Sequence, residues 1–175
     1  MPHVAVIIGS DSDLPVVKAA IDVLEEFGVS YELTIASAHR TPKRAMELAA
    51  TAEERGVDVI IAAAGGAAHL PGVLAASTTL PVIGLPIRSG AMEGLDALYS
   101  MVQMPSGVPV ATVGINGAKN AALLAVAMLG IIDGDLREKL RDYRHRMACA
   151  VNDKALRLEE VGLRAYLAER EKKAE

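Results

Sequence analysis

Four short apolar runs, broken only by Asp58 and Thr112, constrain the fold of this chain more than any other feature: Val4–Ile8, Val57–Ala64, Pro81–Pro86 and Val108–Val113. A strand with one wet face alternates apolar and polar residues. A continuous run of this length therefore marks a strand covered on both faces, as in parallel sheets. A fifth segment, in which Tyr31, Leu33 and Ile35 alternate with polar residues, predicts a half-covered edge strand. Helical spacing fills the gaps. Leu14, Val17, Ile21, Leu24 and Phe27 fall three or four apart, with Gly28 as the stop. A second helix opens at Thr41-Pro42, an N-cap followed by proline in the first helical position, and is expected to end at Gly56.

Strand and helix alternate in this way to about residue 130, the pattern of a doubly wound α/β domain. The expected architecture is three-layered, α/β/α, with a five-stranded parallel sheet in flavodoxin-like order and a long C-terminal helical tail. A single domain is expected over residues 1–175, with its core at about 3–132 and the helical extension at about 133–170. The composition agrees. Of the 175 residues, 51% are hydrophobic but only 3% aromatic, so the core must be built from Ala, Val, Leu and Ile.

A net charge of −4 argues against nucleic acid as a partner, because phosphate backbones are met with excess Lys and Arg. It leaves room for a small anion held by a local basic loop. Cys149 is the sole cysteine, which rules out an intrachain disulfide and a multi-cysteine metal site within one chain. The first residues lack the basic flank and cleavage site of a signal peptide, and Ala121–Ile132 is shorter than the ~20 residues that span a bilayer. A soluble cytoplasmic protein without a membrane partner is expected.

Two segments do not suit a monomer. Ala118–Ile132 is apolar nearly all round, whereas a surface helix keeps a polar face. Beyond it, Leu136, Leu140, Tyr143, Met147 and Val151 form a stripe on an otherwise charged helix. Over residues 135–160 that helix would run ~38 Å, longer than the domain should be wide. It either folds back over its own sheet or docks on a neighbouring subunit.

In an open parallel sheet, ligands bind beyond the carboxyl ends of the strands, where the strand order reverses. Three polar segments follow the first three covered or edge strands: Gly9–Asp13, Ser37–Pro42 and Gly65–Pro71. Gly9–Asp13 opens a helix, where free N–H groups favour an anion, although a Ser/Asp-capped turn without a ligand has the same sequence. It has neither the Walker spacing nor GxGxxG, which speaks against a nucleotide triphosphate or a dinucleotide. The carboxylate of Asp13 would repel phosphate but accept hydrogen bonds from sugar hydroxyls. His39 can exchange a proton near neutral pH, or simply cap the loop. Arg40 offers a planar fork for phosphate oxygens, and Ser37 a hydroxyl. Gly65-Gly66-Ala67-Ala68 clears side-chain bulk where a carboxylate or carbon dioxide could approach backbone amides; a tight strand–helix turn needs the same residues. His69 stands at the same edge and is equally readable as structural. Arg88 and Lys119 add positive charge nearby, and Met101 and Met104 read as an apolar wall. His3 lies at the opposite strand end and His145 on the charged helix. No zinc-type ligand cluster or acidic magnesium site is apparent.

Four segments together resemble the carboxyaminoimidazole ribonucleotide mutase family in order and spacing: Gly9-Ser10-Asp11-Ser12-Asp13, Ser37-Ala38-His39-Arg40-Thr41-Pro42, Ala64 to Gly72, and Gln103 to Val110. The resemblance implies a reaction without metal or organic cofactor in purine biosynthesis. In it, N5-carboxyaminoimidazole ribonucleotide loses carbon dioxide, which is then recaptured at carbon 4 of the ring. It implies His39 as the acid–base group. Ser10, Arg40 and Ser37 would hold the phosphate and Asp13 the ribose. Gly65, Gly66, Ala67, His69 and Leu70 would form the pocket for carbon dioxide and carboxylate. It further implies a homo-octamer whose C-terminal helix reaches a neighbour. A sister type carboxylates aminoimidazole ribonucleotide directly; it carries lysine where this chain has Arg40, and a Gly-Arg-Ser-Asn loop where this chain has Gly66-Ala67-Ala68-His69. Arg88–Met92 departs from the family's usual pattern, which leaves its part in closing the site open.

Overall fold

A computed structural model describes residues 2–172. Five parallel strands make one sheet: β1 (His3–Ile8), β2 (Ser30–Ile35), β3 (Val59–Gly65), β4 (Val82–Ile87) and β5 (Ala111–Thr112), in the order β2-β1-β3-β4-β5. Register runs from Val4↔Tyr31 and Val4↔Val59 through Ile60↔Val82 to Ile83↔Ala111. This is the flavodoxin-like order, with its reversal between β1 and β3.

The continuous runs are explained by layers on both faces. Val4, Ala5, Val6, Ile7 and Ile8 are all fully buried. Ala5 and Ile7 join Ile60, Ala62 and Val82 in a core that includes Ala45 and Ala49 of α2 (Pro42–Ala50), Leu70 and Leu74 of α3 (Leu70–Ala75), and Ala97 and Met101 of α4 (Leu95–Val102). On the other face, α1 (Leu14–Phe27) packs against α5 (Ala118–Leu129). Each large aliphatic side chain so buried contributes ~1.5–3 kcal/mol relative to exposure, and this sets the layers with Phe27 as the one buried aromatic among the described residues. The helix α1 ends as its sequence predicts. Gly28 is left-handed (φ 71°), its N–H donates to Glu25 O, and the Val29 N–H donates to Leu24 O, closing the last turn.

Two boundaries and one side-chain placement differ from expectation. The helix opening at Pro42 stops at Ala50 rather than Gly56, and residues 51–56 continue as hydrogen-bonded turns that finish at Gly56 (φ 77°). The Val108–Val113 run supplies only two strand residues, because Pro109 has no N–H for the ladder. Met101 does not line a ligand wall. It is buried under β4, where Gly84 leaves it room: a Cβ there would lie 3.1 Å from Met101 Sδ. Met104 packs against Gly72 instead.

By packing, the chain divides into two compact units, Met1–Arg137 and Glu138–Glu175. The helix α6 (Gly134–Lys172) begins in the first unit, where the Asp133 carboxylate accepts from the N–H groups of Asp135 and Leu136, both at 3.0 Å. The apolar α5 ends at Leu129, and Ile131 and Ile132 after it are 75% and 87% exposed. The second unit carries the helix to Lys172, near the expected end at about 170, with a break at Gly162 (φ 72°, ψ 166°). Across the break, Arg157 pairs with both Glu160 (2.8 Å) and Glu169 (2.5 Å). In this unit Met147, Val151, Leu156, Leu163 and Leu167 are exposed. No helix among the described residues is long and apolar enough to cross a membrane.

Candidate active site

A cleft of about 430 Å³ opens at the carboxyl ends of β1 to β4. It lies over the β1/β3 reversal, where this topology splits adjacent loops apart. Of the residues singled out in the sequence, Ser10, Asp13, Ser37, His39, Arg40, Gly65, Gly66, His69 and Leu70 line it. Ala67, also expected there, is exposed and is not among the lining residues. Arg88 and Lys119 are not lining residues either, and Arg88 faces Glu93 at 3.4 Å. Gly9, Ser12, Ala38, Ala64, Ala68 and Ser89 complete the wall.

The β1 loop is held by its backbone. The Gly9 N–H donates to Ala63 O (3.0 Å), which fixes the loop to β3. Ser10 is extended (φ −156°), and its Oγ caps the short 3-10 turn Asp11–Asp13 by accepting from the Ser12 N–H (3.3 Å) and Ser12 Oγ (2.9 Å). The capped turn is thus the same structure in which the sequence places an anion site. Asp13 is 6% exposed, the one charged side chain in the buried core among the described residues. Burial pushes its carboxyl above the ordinary value, opposed by hydrogen bonds from Ser12 and the Ser10 backbone and reinforced by the nearby charge of Asp11.

The β2 loop is a closed ring. Thr41 N–H and Oγ1–H both donate to Ser37 O (2.9 and 3.2 Å), while the Ser37 N–H donates back to Thr41 Oγ1 (2.9 Å). Thr41 sits at the expected N-cap, but its hydroxyl serves this ring rather than the helix. Inside the ring, the Arg40 N–H donates to Ser37 Oγ (3.1 Å), and Arg40 Nη2 reaches over to Gly9 O (3.2 Å). The guanidinium is therefore laid across the end of β1, beside Ser10.

The same ring projects His39 toward β3. Its Nε2 lies 2.7 Å from Nδ1 of His69, with the rings edge to face at 73°. One ring donates and the other accepts. Sequence reasoning missed Ser89, at the end of β4. Its Oγ accepts from the Gly66 N–H at 3.0 Å. A signal existed in the Gly-Gly pair: Gly66 needs its positive φ of 63°, whereas Gly65 does not, and is a glycine because a Cβ would sit 2.5 Å from Ser89 Oγ. The remaining histidines are elsewhere. His3 Nδ1 meets Ser30 Oγ at 2.9 Å, and His145 is on α6. Among the described residues no group of three or more His, Cys, Asp or Glu could hold a metal ion.

This set can grip an anion, accept from hydroxyls, exchange a proton and enclose a small polar group in a glycine-lined corner. Comparison with known proteins narrows what shares it. Over 168 residues the chain is 64% identical to the N5-carboxyaminoimidazole ribonucleotide mutase of Pyrococcus horikoshii, covering 96% of this chain and 95% of that one. It is 58% identical over 171 residues to the Thermotoga maritima protein of the same name, covering 98% and 100%. The crystal structure of Treponema denticola PurE superposes with a TM-score of 0.81 at 28% identity, over 90% of this chain and 99% of that one. The family model described as AIR carboxylase matches residues 3–150, and on that span and those identities the chain belongs to the AIR carboxylase family.

Proposed function

We propose that the protein is an isomerase of purine biosynthesis that converts N5-carboxyaminoimidazole ribonucleotide to 4-carboxy-5-aminoimidazole ribonucleotide. The carrying observation is the His39–His69 contact of 2.7 Å beside a glycine-lined corner, within one cleft that also holds Arg40 and Ser10. The near-full-length similarity to proteins named as that mutase supports the reading.

In this reading Arg40, Ser10 and Ser37 grip the 5′-phosphate, and Asp13 accepts from the ribose hydroxyls. The carbamate C–N bond breaks, its electrons return to the nitrogen, and His39 supplies the proton there. Carbon dioxide stays against Gly65, Gly66, His69 and Leu70. Carbon 4 attacks it, and His39 removes the carbon 4 proton, so no net proton or electron is consumed. Holding both fragments in place makes recapture effectively unimolecular, and a closed corner keeps water from competing. This chemistry asks nothing of a cofactor. The exposed apolar residues of α6 support a homo-oligomer, an octamer in this reading, with that helix seated on a neighbouring copy.

The test compares purified protein on N5-carboxyaminoimidazole ribonucleotide with protein on aminoimidazole ribonucleotide plus bicarbonate. Turnover of the first is expected; strong turnover of the second alone sinks the mutase reading. That second reaction, direct carboxylation, is the alternative favoured by the family's description as AIR carboxylase.

A further inference from the structure

We propose that Ser89 is the hydrogen-bond donor that holds the migrating carboxyl group, through a relay running from the Gly66 N–H through Ser89 Oγ–H to a carboxyl oxygen. The assignment rests on the mutase reading above and adds a residue to it.

Position is the first argument. The cleft draws on adjacent loops in the order β2, β1, β3, β4. Arg40 and Ser10 stand over β2 and β1, while Gly66 and Ser89 stand over β3 and β4. From the middle of one pair to the middle of the other is two strand spacings, ~10 Å. A flat riboside gripped by its phosphate over β1 and β2 thus places its far edge, where the carboxyl leaves and returns, over β3 and β4. His39 and His69 stand between.

The second argument is the inventory of the hydroxyl. A serine hydroxyl has one proton to give and two lone pairs to receive. The Gly66 N–H occupies one lone pair at 3.0 Å. The proton has no acceptor among the described residues, and the side chain lines the cleft. Accepting from an amide polarises a hydroxyl and makes it a better donor. A carboxylate or a carbon dioxide oxygen is the complement of such a group.

Third, the local backbone is built to bring this side chain in. Gly65 must be a glycine for Ser89 to lie against it, since a Cβ there would meet Ser89 Oγ at 2.5 Å and Ser89 Cβ at 3.1 Å. The loop that carries Ser89 is fixed at its base, where the Arg88 N–H donates to Asn116 Oδ1 (2.9 Å) and Asn116 N–H donates to Pro86 O (2.8 Å). This gives the Arg88–Met92 segment a purpose: it delivers one hydroxyl to the corner.

The test uses full-length Ser89→Ala and Ser89→Thr beside the unaltered protein. Ser89→Ala is expected to lose ~10- to 100-fold in turnover, the range for a hydrogen bond to a charged group. It should release free aminoimidazole ribonucleotide and carbon dioxide above the enzyme-free background, because the trapped fragment escapes. Its affinity for aminoimidazole ribonucleotide, which has no carboxyl, should match that of the unaltered protein, and Ser89→Thr should restore most of the coupling. Wild-type rate and partition in Ser89→Ala overturn the assignment. So does an equal loss of affinity for the carboxylated and uncarboxylated ribonucleotides, which would make Ser89 a structural tether only. Should Ser89→Ala not fold, Ser89→Cys, with a weak donor of similar size, is judged by the same partition. Failure of the unaltered protein to use the N5-carboxy substrate would instead overturn the function proposed above.

Discussion

Nε2 of His39 and Nδ1 of His69 stand 2.7 Å apart, although the residues come from loops after different strands and are thirty positions apart in sequence. A contact that short has room for one proton, so protonation of one ring facing the other changes what the partner can do. Removing either ring should not act independently. His39→Asn is expected to reduce turnover by ~10²–10⁴, the usual share of an acid–base group, with ribonucleotide binding retained. His69→Asn should cost less. The double variant should lose less than the sum of the two, which rate measurements on all four proteins would show. Strict additivity would mean that the two imidazoles work apart.

Asp13 makes a prediction about stability and pH. Its carboxyl is raised above the ordinary 3.8 by burial. A raised folded value means that its favourable contribution is complete below about that ordinary value and is lost as pH rises through the folded one. At neutral pH the empty protein therefore carries the cost of a buried charge. Asp13→Asn should melt higher at pH 7, and the gap should close as pH falls toward 3.8. The same variant should bind the ribonucleotide more weakly, having lost an ionised acceptor for the ribose. Thermal melts across pH, paired with binding isotherms, check both halves.

The two adjacent glycines should respond differently. Gly65→Ala forces a Cβ to within 2.5 Å of Ser89 Oγ and 3.2 Å of Ile87 O. Crowding of this kind costs ~1–3 kcal/mol, and it should also break the Gly66–Ser89 bond and with it most activity. At Gly66 nothing lies within 4 Å of an added Cβ, and only the left-handed φ of 63° opposes the change, at ~1–2 kcal/mol. Gly66→Ala should therefore fold slightly less stably and keep more turnover than Gly65→Ala. Melting temperatures and rates of the pair give the ranking.

Arg40→Ala should raise the KM for the phosphorylated substrate ~10- to 100-fold, as expected for a charge-assisted hydrogen bond, and should relieve competition by inorganic phosphate. Arg40→Lys should recover only part, since an ammonium cannot both reach Gly9 O and present a planar fork to phosphate. Inhibition curves with phosphate separate the three proteins.

The sheet was largely legible in the sequence because burial on both faces leaves β3, β4 and β1 beyond His3 without polar residues, and that mark survives without any knowledge of partners. Two boundaries were not. The sequence shows Pro109 within an apolar run, and the proline's missing N–H outweighs the hydrophobicity around it. The stop at Gly56 is real as a turn, but the chain leaves α2 at Ala50 and reaches Gly56 through hydrogen-bonded turns in which the Arg55 side chain bonds Glu32 and Leu48 O. In the cleft, residues in polar clusters could be found from their neighbours along the chain. Ser89 could not, because its significance arises from the pairing of β4 beside β3, and a lone serine in Arg88–Met92 carries no pattern of its own. Ala67 shows the opposite: it belongs to a motif, yet between the left-handed Gly66 and Ala68 (φ 41°) it is exposed and outside the cleft lining.

Every residue lining the cleft falls between Gly9 and Ser89. In the proposed function the chemistry is therefore written into the first half of the chain, and the second half serves that cleft as scaffold and surface. A saturation scan of the gene should come out lopsided. Before Ser89, substitutions can silence the protein while leaving it abundant and folded. After it, within one chain, loss of activity should travel with loss of the protein or of its assembly.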